Sequence, residues 1–203
     1  MGDVAAIIRQ CRDCPLGESR TNAVPGAGSD QASVLFIGEA PGLKEDQQGV
    51  PFVGSAGNLL NTMLDRAGIS RENVFITNTI KCRPPNNRDP EQVEIDTCKK
   101  YLRSQIAKLN PKLVVTLGRF ALEYFFPGER ISRVHGAPRQ LGDRTYLPLY
   151  HPAAALHNPG LRDTLLEDFL TIAKLINPLS VAGGTDSSKS NSVKPRPKQL
   201  DLF

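Results

Sequence analysis

Val34-Leu35-Phe36-Ile37-Gly38-Glu39-Ala40-Pro41-Gly42 is an apolar run that stops at a glycine and passes into a turn carrying a carboxylate. A run with no polar face reads as a strand buried on both sides. Val74-Phe75-Ile76-Thr77 and Leu113-Val114-Val115-Thr116-Leu117 have the same character, and the latter also ends in a glycine, Gly118. Tyr146-Leu147-Pro148-Leu149-Tyr150 is a fourth, weakened by a proline that cannot donate to a ladder. The stretches between them have helical periodicity. Residues 55–67 place Leu59, Leu60, Met63 and Leu64 on one face and stop at Gly68. Residues 90–109 open with Pro-Glu, and 119–126 and 161–176 add two more helices. Buried strands alternating with helices predict an α/β fold with a mainly parallel sheet of four strands, covered on both faces.

In such sheets functional residues gather beyond the carboxyl ends of the strands. After the first strand come Gly38, Glu39 and Ala40, then Glu45, then Pro51-Phe52-Val53-Gly54. Asn78 follows the second and His151-Pro152-Ala153 the fourth. Each signal is weak alone: a glycine turn is usually only a turn, and a lone histidine is more often structural than catalytic. Their joint occurrence at three strand ends predicts one site. No lysine-bearing phosphate loop, dinucleotide fingerprint or serine elbow is present, which disfavours nucleotide hydrolysis, hydride transfer and acyl transfer.

The chain has 203 residues, a net charge of +4, no tryptophan and 16 prolines. That length suits one domain plus a tail, and the charge permits nucleic-acid contact without demanding it. All four cysteines fall into one pattern: Cys11 and Cys14 as C-x-x-C, then Cys82 and Cys98 far downstream. Four thiolates close an iron–sulfur cluster or a structural zinc site, and spacing alone does not separate the two. Nothing at the start reads as a signal peptide, so a reducing, cytoplasmic compartment is expected and disulfides are not.

The motifs Gly38-Glu39-Ala40-Pro41-Gly42, Pro51-Phe52-Val53-Gly54, Thr77-Asn78-Thr79-Ile80-Lys81-Cys82-Arg83-Pro84-Pro85 and His151-Pro152-Ala153 together resemble the family 4 uracil-DNA glycosylases. The similarity runs from about residue 5 to residue 176. It implies a three-layer α/β/α sandwich, a [4Fe–4S] cluster on Cys11, Cys14, Cys82 and Cys98, and hydrolytic removal of uracil from DNA. It further implies catalytic roles for Glu39 and His151, and uracil binding by Gly38, Ala40, Glu45, Phe52 and Asn78. On this reading Phe52 stacks on the flipped base, Asn78 reads its O4 and N3–H, and His151 donates to O2. Glu39 either stabilises the sugar cation or orients water. Glu45 either closes the pocket beside uracil C5 or is a solvated helix-start residue. Leu156 is either a DNA wedge or a hydrophobic staple. Arg83, Arg88, Arg130 and Arg133 are candidates for phosphate contacts. His135 stands before Gly136 where the resemblance would place a basic residue, and no basic insertion follows the second motif. Two rivals are a noncatalytic iron–sulfur nucleic-acid-binding protein and an electron carrier.

From about Val181 the composition turns to Gly, Ser, Thr, Asn, Lys and Pro, which predicts a glycosylase domain over 1–180 and a disordered linker over 181–198. Gln199-Leu200-Asp201-Leu202-Phe203 resembles the pentapeptide that binds the bacterial β sliding clamp, with Gln199, Leu200, Leu202 and Phe203 as contacts. That resemblance implies a bacterial, nucleoid-associated enzyme.

Overall fold

The computed structural model describes residues 1–176. The expected linker and clamp peptide lie outside them. Chain order runs α1 (Gly2–Gln10), α2 (Leu16–Ser19), β1 (Ala27–Gly28), β2 (Val34–Gly38), α3 (Leu43–Gln48), α4 (Ser55–Arg66), β3 (Phe75–Asn78), α5 (Gln92–Leu109), β4 (Leu113–Leu117), α6 (Arg119–Phe125), α7 (Ile131–Val134), β5 (Arg139–Leu141), β6 (Arg144–Leu149), α8 (Pro152–His157) and α9 (Leu161–Ile176).

The four anticipated strands form the parallel centre of the sheet, in the order β3-β2-β4-β6. Two short strands widen it to six: β1 pairs antiparallel with β3, and β5 with β6. Sequence pattern did not reveal them, because neither has an apolar run; they are recruited by the edges they cover. Pro148 is tolerated inside β6 for a related reason. The β5 pairing reaches only as far as Tyr146, and the Pro148 carbonyl, lying beyond it, accepts the Gly136 N–H at 2.8 Å.

Alternate residues of each central strand enter opposite layers, as the strand period of two requires. Val34 and Phe36 pack with Leu60, Leu64, Leu165 and Phe169 from α4 and α9. Leu35 and Ile37 pack with Leu102, Ile106, Ala121 and Phe125 from α5 and α6. The result is the expected α/β/α sandwich. Helix α5 begins two residues later than its proline suggests: Glu91 caps it, and Glu94 reaches back to the Glu91 N–H in a capping box. A third cluster gathers the N-terminal segment against β3's exit: Ile8, Leu16, Ala23, Ile80, Cys82, Cys98 and Tyr101, with Cys11 and Cys14 against it.

Strand order reverses around β2, with β3 on one side and β4 on the other. Loops leaving β2 and β4 therefore diverge and open a crevice at the carboxyl end of the sheet.

Candidate active site

That crevice is a cleft of about 470 Å³, and Glu39, Ala40, Glu45, Phe52, Asn78, His151 and Leu156 all line it. Gly38 is not among the lining residues but packs behind two of them, Asn78 and Phe52. A β-carbon there would lie 2.4 Å from Asn78 Oδ1 and 2.7 Å from Phe52 Cζ, so only glycine lets the ring and the carboxamide close over the strand end.

Asn78 is the last residue of β3, paired in register with Gly38 and 1% exposed. Its Oδ1 is buried and has no hydrogen-bond partner. An orphaned acceptor costs about 1–3 kcal/mol, so a native site keeps one where a ligand supplies the missing donor.

Phe52 adopts φ +53°, a left-handed backbone that aromatic residues rarely take. Anchors on both sides hold it there. Glu45 Oε1 accepts the N–H groups of Val53 at 2.9 Å and Gly54 at 2.8 Å. Arg71 donates to the Pro51 carbonyl at 2.7 Å and to Asn61 Oδ1 at 2.7 Å. Glu45 is buried, so the solvated helix-start alternative is overturned: its carboxylate organises the loop that carries Phe52. Arg71 had no sequence signal, since nothing local shows that it folds back onto residue 51.

His151 caps α8, its Nδ1 accepting the Ala153 N–H at 3.1 Å. An accepting Nδ1 places the proton of the neutral ring on Nε2, leaving Nε2–H as the ring's free donor. Burial lowers the imidazole's pKa from 6.5 to about 4, against the opposing pull of Glu45, so the ring is neutral at physiological pH. Its ring centroid lies 5.6 Å from that of Phe52. Gly118, at φ +85°, makes room for it: a β-carbon there would lie 2.9 Å from His151 Cβ. Glu39 is half-buried, and burial raises its pKa, with the nearby Asp89 adding to the rise and Arg119 opposing it.

The segment after Asn78 is stitched in several directions. Thr79 Oγ1 shares its single proton between the Gly38 and Glu39 carbonyls, at 2.9 Å each. Ile80 enters the thiol cluster, and Cys82 follows it. Arg20 spans that cluster, donating to Cys82 Sγ at 2.9 Å and to the Arg9 and Cys11 carbonyls at 2.8 Å each. Burial pushes the Cys82 thiol up and the Cys98 thiol to about 11, so thiolate there needs a cationic partner. Among the described residues no three His, Cys, Asp or Glu side chains close on a point fit for a single metal ion. Cys82 and Cys98 lie in one buried cluster with Cys11 and Cys14 packed against it and the Arg20 guanidinium beside them, a donor set whose chemistry fits an iron–sulfur group.

Among the basic candidates, Arg88 is already engaged, donating to both Glu94 oxygens at 3.0 and 2.7 Å. Arg83 donates to Asn87 Oδ1 at 2.7 Å, and Asn87 lines the cleft wall. His135 Nδ1 pairs with Asp168 Oδ2 at 2.9 Å and its ring packs on Tyr150. Among the described residues no helix is long and apolar enough to cross a membrane.

The chain is an α/β/α protein with a cleft at the carboxyl ends of its parallel strands, and residues 25–174 match the uracil DNA glycosylase superfamily. The chain is 44% identical to the type-4 uracil-DNA glycosylase of Saccharolobus solfataricus, over 93% of this chain and 95% of that one. It is 48% identical to the type-4 enzyme of Sulfurisphaera tokodaii (83% and 81%) and 44% identical to that of Thermotoga maritima (81% and 88%). The chain belongs to the type-4 uracil-DNA glycosylases.

Proposed function

We propose that this chain flips uracil out of DNA and hydrolyses its N-glycosidic bond, starting base excision repair. The observation that carries the reading is the orphaned Asn78 Oδ1 beside Phe52 and His151 in one cleft. A base cannot be reached inside a duplex, so the nucleotide leaves the stack at a cost of a few kcal/mol, least for a mispaired base. Phe52 then stacks on the ring. Asn78 Oδ1 accepts the uracil N3–H, and its amide donates to O4. Cytosine inverts both groups, so the matched pair discriminates by about 1–3 kcal/mol.

As the bond breaks, negative charge grows on the uracil and positive charge on the sugar. The neutral His151 donates Nε2–H to O2, where the negative charge develops. Glu39, whose pKa burial raises, faces the sugar and in its ionised form either stabilises the sugar cation or orients the attacking water. Glu45 shapes the pocket through the loop that carries Phe52, and Gly38 and Ala40 admit the base to the strand end. Leu156 enters the gap left in the stack.

Cys11, Cys14, Cys82 and Cys98 would hold a [4Fe–4S] cluster. Its contribution would be structural: base hydrolysis transfers no electron, and these four residues would tie the N-terminal segment to the loop that follows Asn78. Residues 181–198 would act as a tether and Gln199, Leu200, Leu202 and Phe203 as contacts to a bacterial sliding clamp, raising the enzyme's effective concentration at replicated DNA in the cytoplasm. Deleting 199–203 should abolish clamp binding in a pull-down and leave excision on short oligonucleotides unchanged.

The test of the main reading is direct. The protein is incubated with single- and double-stranded oligonucleotides containing one uracil, and abasic sites are cleaved with alkali. Strand scission at the uracil is expected. Binding without scission would favour the noncatalytic nucleic-acid-binding alternative.

A further inference from the structure

Lys81 is 1% exposed, and all three protons of its ammonium are committed. Nζ donates to Thr77 Oγ1 at 2.7 Å, to the Asn78 carbonyl at 2.6 Å and to Gln105 Oε1 at 2.7 Å. All three acceptors are neutral oxygens. Two of the acceptor residues are fixed in turn: Thr77 Oγ1 donates to the Pro25 carbonyl at 2.8 Å, and Gln105 Nε2 donates to the same carbonyl at 2.6 Å. A buried ammonium bonded only to neutral oxygens is expensive, and the neighbouring Cys82 and Cys98 sulfurs offset only part of that cost. Leucine or methionine would fill the same volume at far lower cost. The position is therefore used for its donors.

What those donors hold is the point where the chain leaves the sheet. Gly38 and Asn78 form the last rung between β2 and β3. From the next residue the backbone turns away, bonding through Thr79 N–H to the Gly38 carbonyl at 2.9 Å. The Asn78 carbonyl thus sits at the end of the ladder, and Lys81 captures it. The peptide plane at Asn78 sets the direction of its Cα–Cβ bond, and hence where its unpaired Oδ1 stands in the cleft.

We propose that Lys81 is a positioning residue for base recognition: by clamping the Asn78 carbonyl to Thr77 and Gln105, it holds the Asn78 carboxamide in register with the flipped base. The proposal rests on the reading of Asn78 as the group that binds uracil. It gives a buried cation a function that acts through another residue, with no contact to substrate of its own.

A double-mutant cycle tests it, using the full chain with melting temperature and iron content recorded for each variant. Lys81→Met is expected to lower the single-turnover rate on uracil by roughly 10- to 100-fold, the scale set by a misplaced reacting group. Its preference for uracil over cytosine should fall as well. In an Asn78→Ala background the same substitution should cost nothing further, because the group it positions is gone. A purely structural lysine would lower the melting temperature and slow both backgrounds by the same factor; that result, or an unchanged rate in Lys81→Met, overturns the proposal. If Lys81→Met does not fold, Gln105→Met replaces it in the cycle: the ammonium stays, one of its acceptors goes, and the same non-additivity is expected. A wild-type chain that releases no uracil is a separate failure. It would overturn the glycosylase reading first, and this proposal with it.

Discussion

The two ends of the short segment from Asn78 to Cys82 are built on opposite terms. At the cleft end, Asn78 carries a buried acceptor left unpaired. At the other end nearly every polar atom is engaged: Thr79 bonds to two carbonyls, Lys81 to three oxygens, and Cys82 Sγ to Arg20. Unpaired polarity is kept where substrate is to complete it, and paired polarity where the backbone is to be fixed. On the proposed reading, a recognition element and the scaffold that fixes its strand's exit share one stretch of five residues.

If that division is right, the largest rate effects fall on the cleft end, and removing Asn78 or His151 there costs little stability beyond the α8 cap. Asn78→Ala and His151→Ala should each lower the single-turnover rate by roughly 100- to 1,000-fold, the range for losing one donor or acceptor at developing charge. Gly38→Ala should approach that loss without removing any functional group, since its methyl would lie 2.4 Å from Asn78 Oδ1. Melting curves should show the first two folded like the wild type. Near-native rates for Asn78→Ala and His151→Ala would break the comparison at its stronger end.

The pH profile sharpens the assignment within the cleft. His151 is neutral until pH falls to about 4, so its titration leaves no inflection near 6.5 in the rate. The same shift has a stability consequence. Between about 6.5 and about 4 the unfolded chain takes up a proton that the folded ring refuses, so stability declines as pH falls through that window. Glu39 has a pKa raised above the ordinary 4.5, and in the proposed mechanism it acts as the carboxylate. The rate should therefore fall about ten-fold per pH unit below the Glu39 pKa, and Glu39→Gln should remove that limb. A limb centred near 6.5 that survives in Glu39→Gln would assign the titration elsewhere.

Much of the cleft end was legible in the sequence. Glu39, Asn78 and His151 each follow an apolar run, and a parallel sheet brings the ends of its strands together whatever the loops do. The anchors were not legible. Arg71 reaches the Pro51 carbonyl, Glu45 reaches Val53 and Gly54, and Lys81 reaches Gln105 across a sequence separation of 24. Those contacts depend on how loops fold back on one another, and no periodicity encodes it. Lys81 was concealed further by its type, because lysine is almost never fully buried. The widening of the sheet by β1 and β5 escaped for the converse reason: edge strands this short need no apolar pattern.

Substitution at the scaffold end should reverse the balance between rate and stability. Cys82→Ser removes a thiol from the cluster and puts a hydroxyl on a shorter bond where Sγ accepts from Arg20. Each kcal/mol of lost stability moves the melting temperature by about 2–4 °C in a domain of this size, so losing several should lower it by about 10 °C. Iron content should fall with it. The excision rate per folded molecule should drop less than in Asn78→Ala, because the recognition atoms remain. A rate loss as deep as that of Asn78→Ala, with the melting temperature unchanged, would erase the distinction between the two ends.

Leu156 should show the smallest effect, and the most dependent on substrate. It lines the cleft from α8, a half-buried leucine in a short helix that His151 caps. As a wedge it fills the space vacated by an everted base, and that space exists only where neighbouring bases are stacked and paired. Truncation to alanine removes part of one leucine's apolar burial, about 1 kcal/mol or roughly five-fold in rate. That loss should appear on duplex substrate and nearly vanish on single strands, where no stack has to be held open. If Leu156 instead only staples α8, Leu156→Ala would slow both substrates equally and lower the melting temperature. The ratio of the two rates, rather than either rate alone, separates a residue that meets DNA from one that supports the fold.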